Sequence, residues 1–181
     1  MSALDRARAQ ARAATAARGG RVVFPESDEP RVAAAMDRLA AEGLAEPVPL
    51  APASDAQIAA LVGARGLTEG VARRMLARPL IRAAAMVAAG QAEAMVAGAD
   101  SPTRKVIEAA GLAIGLAEGV TVPSSFFLMR FPDGRELVMA DCAVNPEPTS
   151  ADLAAIATAS AASARALLGA ARVALLSYST G

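Results

Sequence analysis

RVVFPESDEPRVAAAMDRLAAEG, residues 21–43, is one strand–turn–helix unit written out in order. RVVF is a short apolar run bounded by Gly19-Gly20 on one side and Pro25 on the other, which reads as a buried strand. PESDEP is a turn. Pro30 suits a first helical turn, where its missing N–H costs nothing. RVAAAMDRLAAEG then reads as a helix closed by Gly43.

The same alternation continues outward. PVPL (47–50) reads as a weak strand whose prolines place it at a sheet edge. Ser54 and Asp55 open a helix, Thr68 caps the next, and Pro79 ends or kinks that one. LIRAAAMVAAG (80–90) is a further helix. AMVAG (94–98) is a strand entering a glycine turn, followed by a helix over 102–118. SSFFLMRF (124–131) and ELVMAD (136–141) flank PDGR and predict a hairpin. Thr149 with Asp152 three residues on predicts a capping box opening an Ala-rich helix, 150–168. RVALLSYSTG (172–181) reads as a strand running into a hydroxyl-rich turn. Upstream, residues 3–17 read as a surface helix. Apolar strands alternating with helices predict an α/β fold: a largely parallel sheet with helices on both faces, three layers, C-terminally incomplete. ALLS is almost wholly apolar, and the chain halts in the turn after it, so the expectation is a domain whose sheet is not finished. The alternative is a natural last strand of a small domain.

Composition narrows the chemistry. The 181 residues are 54% apolar, much of it alanine, and only 3% aromatic, so Leu, Ile, Val and Met must form the core. Eighteen basic and eighteen acidic residues balance, which points away from nucleic acid and anionic membranes as partners. No apolar run reaches the ~18 residues of a membrane span. One cysteine, Cys142, allows no internal disulfide and fits a reducing, cytoplasmic setting. There is no histidine, so the commonest general base and metal ligand is missing. Cys142 therefore reads as an inert thiol rather than a nucleophile, and no metal site is expected.

Three turns fall where open α/β sheets bind ligands, at the carboxyl ends of strands. In FPESDEPR, the acids stabilise a helix start, or Arg31 holds a phosphate or carboxylate. In VAGADSPTRK (96–105), the glycine turn and helix start offer free N–H groups, Ser101 and Thr103 add hydroxyls, and Arg104 and Lys105 add charge. The alternative there is a plain helix cap with two solvated cations. In SYSTG (177–181), Ser177, Ser179 and Thr180 offer the same kind of cradle.

Taken in order, FPESDEPR, AMVAGADSPT, SSFFLM with its PDG turn, DCAVNPEPTSADLAAIA and RVALLSYSTG resemble successive segments of the phosphate acetyltransferase and butyryltransferase family. The resemblance covers residues 19–181, and DCAVNPEPT and LSYSTG are its most specific strings. It implies a transferase interconverting acyl-coenzyme A plus phosphate with acyl phosphate plus coenzyme A, with acetyl-CoA and acetyl phosphate the natural pair. Coenzyme A and phosphate are then substrates, and no cofactor is tightly bound. It also implies two α/β domains with the site in the cleft between them, and a homodimer at full length. On that pattern residues 1–18 are an N-terminal helix, 19–146 most of the first domain and 147–181 the beginning of the second. The family's catalytic serine, arginine and aspartate fall beyond this chain, so no catalytic residue is assigned here. Arg31 matches a family arginine near the cleft, and the SYSTG loop a cleft-facing loop. After Gly98-Ala99 the chain departs from the family: Glu108 stands where an arginine is expected, and Arg104 or Lys105 is left to replace it. A related module occurs fused to some malic enzymes. It supplies the alternative of a non-catalytic acyl-CoA-sensing regulatory module.

Overall fold

A computed structural model describes residues 2–176. Its contacts divide the chain into two compact units, Arg8–Gly115 and Met1–Ala7 together with Leu116–Gly181. The division precedes the proline- and acid-rich stretch at 145–148. Among the described residues, 116–176 cohere because the hairpin strands pair with each other and the following helix packs on β5.

The first unit holds most of helix α1 (Ala3–Arg18) and a three-stranded parallel sheet in the order β2-β1-β3. Strand β1 (Arg21–Val23) sits in the middle, β2 (Glu46–Val48) at one edge, where Pro47 is tolerated, and β3 (Ala94–Met95) on the other side. Helix α2 (Pro30–Ala41) follows β1, with Pro30 in its first turn. Its N-cap is Glu29, whose carboxylate accepts from the Val32 N–H at 3.0 Å. Three helices lead from β2 to β3: α3 (Asp55–Arg65), α4 (Glu69–Met75) and α5 (Pro79–Ala88). The Ser54 hydroxyl caps α3. Thr68 stands at the N-cap of α4 without a side-chain bond. Pro79 does not end α4. That helix stops at Met75, and Arg78 is extended, as a residue before proline prefers, so that Pro79 opens α5 instead. Helix α6 (Thr103–Ala113) is shorter than the sequence predicts, because Gly115 turns the chain at φ +81.

Two clusters form the core. Val23, Ala83, Met86 and Ala92 pack α5 against the sheet. Ile58, Leu61, Leu76, Ile81, Ala85 and Ala109 join the helices to one another. Much of this interior is alanine, so helices approach closely but each residue buries little area. Gln57 is wholly buried, and its amide donates to the Gln91 side chain at 2.8 Å.

The second unit holds the hairpin β4 (Phe126–Arg130) and β5 (Glu136–Ala140), antiparallel, with Phe127 opposite Met139 and Met129 opposite Leu137. Gly134, at φ +84, makes the turn. Helix α7 (Ser150–Leu168) packs on β5 and begins with the predicted capping box: Thr149 and Asp152 each accept from the other's backbone N–H. By length and composition α7 meets the test for a helix able to cross a membrane, against the expectation of none. Its apolarity is largely alanine, and only 11% of the stretch is buried, with Ile156 and Ala164 its buried residues. The predicted strand at 172–181 is not seen in its described part. Residues 171–176 form no strand and Leu176 is 89% exposed. Among the described residues no neighbouring strand supplies a hydrogen-bonding ladder.

Candidate functional site

The connection from β1 to β2 and that from β2 to β3 run in opposite directions across the sheet. Right-handed crossovers therefore put α2 on one face and α3–α5 on the other. Helix α6, which follows β3, packs on α5 and α3. The helices that follow the neighbouring strands β1 and β3 thus leave toward opposite faces. Between the carboxyl ends of those strands lies a topological switch point, the place where open sheets take ligands.

A shallow cleft of about 250 Å³ opens there, lined by Phe24, Glu26, Arg31, Val32, Val96 and Ala99 among others. Two loops shape it, the one after β1 and the one after β3. They are joined by a carboxylate that the sequence reading did not single out. Glu26 accepts from the backbone N–H of Gly98 at 2.7 Å, of Ala99 at 2.8 Å and of Asp100 at 3.3 Å. Gly98 reaches this geometry at φ +112, where a side chain is disfavoured. Burial works to raise the Glu26 pKa. The Ser101 hydroxyl and the three amides outweigh it, and the group lies below its ordinary value.

Arg31 belongs to the same cluster. Its Nη2 donates to the Ala99 carbonyl at 3.3 Å and its Nε to Glu29 at 2.7 Å. The side chain is 76% exposed, and its two hydrogen bonds use Nε and Nη2. Glu29 first, and then Asp100, hold the guanidinium above its usual range, so its charge is secure. The cleft is nevertheless not strongly cationic, since its lining includes one arginine and one glutamate.

The structure brings Arg31 and Ser101 together around the 98–101 loop through Ala99 and Glu26. Thr103 is the first residue of α6 and exposed. Arg104 turns along its own helix to Glu108 at 2.7 Å and is 89% exposed. Ser177, Ser179 and Thr180 lie outside the described residues. Glu26 was the missed participant. Its only sequence signal was an acid in the turn after a buried strand, and its partners stand more than seventy residues on.

The second unit has its own polar cluster. Asp141 accepts from Ser125 N–H at 2.9 Å and from the Ser125 hydroxyl in a short bond. It also accepts from Asn145 N–H at 2.6 Å, Asn145 Nδ2 at 2.7 Å and Val144 N–H at 3.2 Å. Burial opposes ionisation, but these donors win and hold the carboxyl far below the carboxylate range. Cys142 Sγ lies 3.2 Å from Ser125 Oγ. The one serine proton already serves Asp141, so the thiol is the donor there. Among the described residues no group of three or more acids, histidines or cysteines is placed to hold a metal ion.

Relatives agree with this architecture. The chain is 37% identical over 190 residues to a phosphate acetyltransferase of Haemophilus influenzae, covering 89% of this chain and 27% of the relative. It is 38% identical over 183 residues to one of Paracoccus denitrificans, covering 88% and 58%. It thus spans about a quarter of the first relative's length. Among solved structures, the EutD phosphotransacetylase from Staphylococcus aureus superposes with a TM-score of 0.74 at 26% identity, covering 91% of this chain and 58% of that one. A phosphotransacetylase from Streptococcus pyogenes gives 0.67 at 28%, covering 74% and 50%. The family model described as phosphate acetyl/butaryl transferase matches residues 54–181. That match takes in well over half of the sequence, and the chain belongs to the phosphate acetyl/butaryl transferase family.

Proposed function

We propose that this chain is part of a phosphate acyltransferase, which interconverts acyl-coenzyme A plus inorganic phosphate with acyl phosphate plus coenzyme A, acetyl being the acyl group. One observation carries the reading: in a chain of this family, Arg31 stands against the 98–101 loop at the switch point of a parallel sheet. In the forward reaction a phosphate oxygen attacks the thioester carbonyl. A carbon–oxygen bond forms, the carbon–sulfur bond breaks, and coenzyme A leaves as thiolate and takes up a proton. The physical difficulty is to hold two anions at contact distance, and an arginine that orients one of them lowers that cost. The exposed Arg31 guanidinium suits a phosphoryl oxygen. No residue of this chain is given the proton transfer or the transition-state charge. By the resemblance, those roles belong to a serine, an arginine and an aspartate of the family that no residue here matches.

The same reading includes a cytoplasmic protein, a homodimer at full length and no tightly held cofactor. Residues 147–181 would open the second α/β domain. Balanced charge supports small anions rather than nucleic acid or membrane as partners. Arg31→Ala in the full-length protein is expected to raise KM for phosphate or coenzyme A about tenfold, the value of one charge-assisted contact, with kcat little changed. Unchanged KM for both substrates removes Arg31 from the site.

A second reading, a non-catalytic module that senses acyl-coenzyme A, is favoured by Glu108. It stands where the family resemblance expects arginine and occupies Arg104 in an ion pair. Trapping acyl phosphate as its hydroxamate separates the two readings. Calorimetry with coenzyme A then tells a sensor from a protein that binds nothing.

A further inference from the structure

Consecutive backbone N–H groups aimed at one point make a concavity that takes an anion. The loop after β3 is built this way, with the amides of Gly98, Ala99 and Asp100 converging and the Ser101 hydroxyl beside them. The anion inside is the chain's own. Glu26 reaches it from the loop after β1, across a sequence separation of 72 to 74 residues.

We propose that Glu26 is a built-in occupant of this nest, locking the loop after β3 to the loop after β1 and keeping inorganic phosphate and other phosphoryl anions out of the 98–101 amides. Such anions are left to the Arg31 guanidinium at the same cleft. Three arguments support the exclusion. A carboxylate tethered by the sheet competes at an effective concentration in the millimolar range or above. Its bonds are charge-assisted and short, two of them at 2.7 and 2.8 Å. A second anion entering beside it meets the negative charge of both Glu26 and Asp100. The loop that looks in sequence like an open phosphate cradle is then a positioning device. It fixes the Ala99 carbonyl, to which Arg31 is anchored at 3.3 Å. This inference goes beyond the acyl-transfer reading and does not depend on it.

The test is a titration of the ¹⁵N-labelled chain with inorganic phosphate, following the amide signals of Gly98, Ala99 and Asp100. In the wild type these three signals stay in place through tens of millimolar phosphate. In Glu26→Ala they move and saturate, with an apparent affinity about tenfold or more above any wild-type response, as removal of a tethered competitor requires. Glu26→Gln keeps a neutral acceptor and falls between the two. Equal midpoints in wild type and Glu26→Ala would mean that Glu26 swings aside freely, and would overturn the proposal. So would silent amides in a folded Glu26→Ala chain. If Glu26→Ala does not fold, hydrogen exchange of the Gly98 and Ala99 amides in Glu26→Gln decides. Exchange faster by about tenfold supports the lock, and unchanged exchange ends it.

Discussion

Glu26 and Asp141 are both carboxylates wrapped in backbone amides, yet they gather their donors over different distances. Asp141 takes its amides from residues 143–145, just after it, and from Ser125, 16 residues back across the hairpin. Glu26 takes all three of its amides from a loop more than seventy residues away. Asp141 needs only a turn and a hairpin to find its partners, so its bonds report local structure. Glu26 needs β1 and β3 already paired, so its bonds report the finished sheet. The closure cost rises only slowly with length. What separates the two is therefore how many other contacts must exist first, not the reach itself.

Removing each carboxylate measures that difference. Asp141→Ala is expected to have the largest effect, a loss of about 3 kcal/mol, because it strands several partly buried donors at once. Glu26→Ala should cost about half as much, since the cleft is open and water can reach the freed amides where they stand. Urea unfolding followed by circular dichroism reads both. The comparison breaks if Glu26→Ala costs more, because the hairpin turn would then be the more forgiving of the two.

Acid sharpens the same contrast. Both groups lie below their ordinary values, 3.8 for the aspartate and 4.5 for the glutamate. Between the folded and the ordinary value the unfolded chain binds more protons than the native one, so stability rises with pH across that interval. Each contribution is complete above the ordinary value and disappears as the pH falls through the folded one. Unfolding midpoints should hold steady from pH 7 to about 5.5 and decline below about 4.5. Asp141→Asn should flatten the decline more than Glu26→Gln, and should do so at lower pH. A wild-type slope in Asp141→Asn would mean that the turn does not depend on the charge.

Much of the frame was legible because its signals are short-range. Pro30 and Gly43 bracket α2, Ser54 caps α3, PDG turns the hairpin, and Thr149 with Asp152 forms the box that opens α7. Each of these is decided within a few residues. The switch point was legible at one remove, since alternating strands and helices place loops at strand ends. The role of Glu26 was not, because PES after a strand looks like any helix approach until β3 is laid beside β1. The apolar run at 172–176 misled in the other direction. Apolarity records a preference for burial, but a strand also needs a neighbour's hydrogen bonds, and none among the described residues provides them.

Arg104 should show the smallest effect of all. It sits in the first turn of α6, where a cation opposes the helix dipole, and pairs with Glu108 in the less favourable order, base before acid. Arg104→Ala loses an exposed pair worth about 0.3–0.5 kcal/mol and removes a dipole penalty of similar size, so unfolding should shift by less than about 0.5 kcal/mol either way. Phosphate kinetics of the full-length protein should likewise stay at wild-type values where Arg31→Ala does not. If Arg104→Ala weakened phosphate binding as much as Arg31→Ala, the anion would be gripped by the first turn of α6. The nest beside that turn would then be open for substrate, and the contrast between a locked Glu26 loop and a self-contained Asp141 turn would fail at its more distant end.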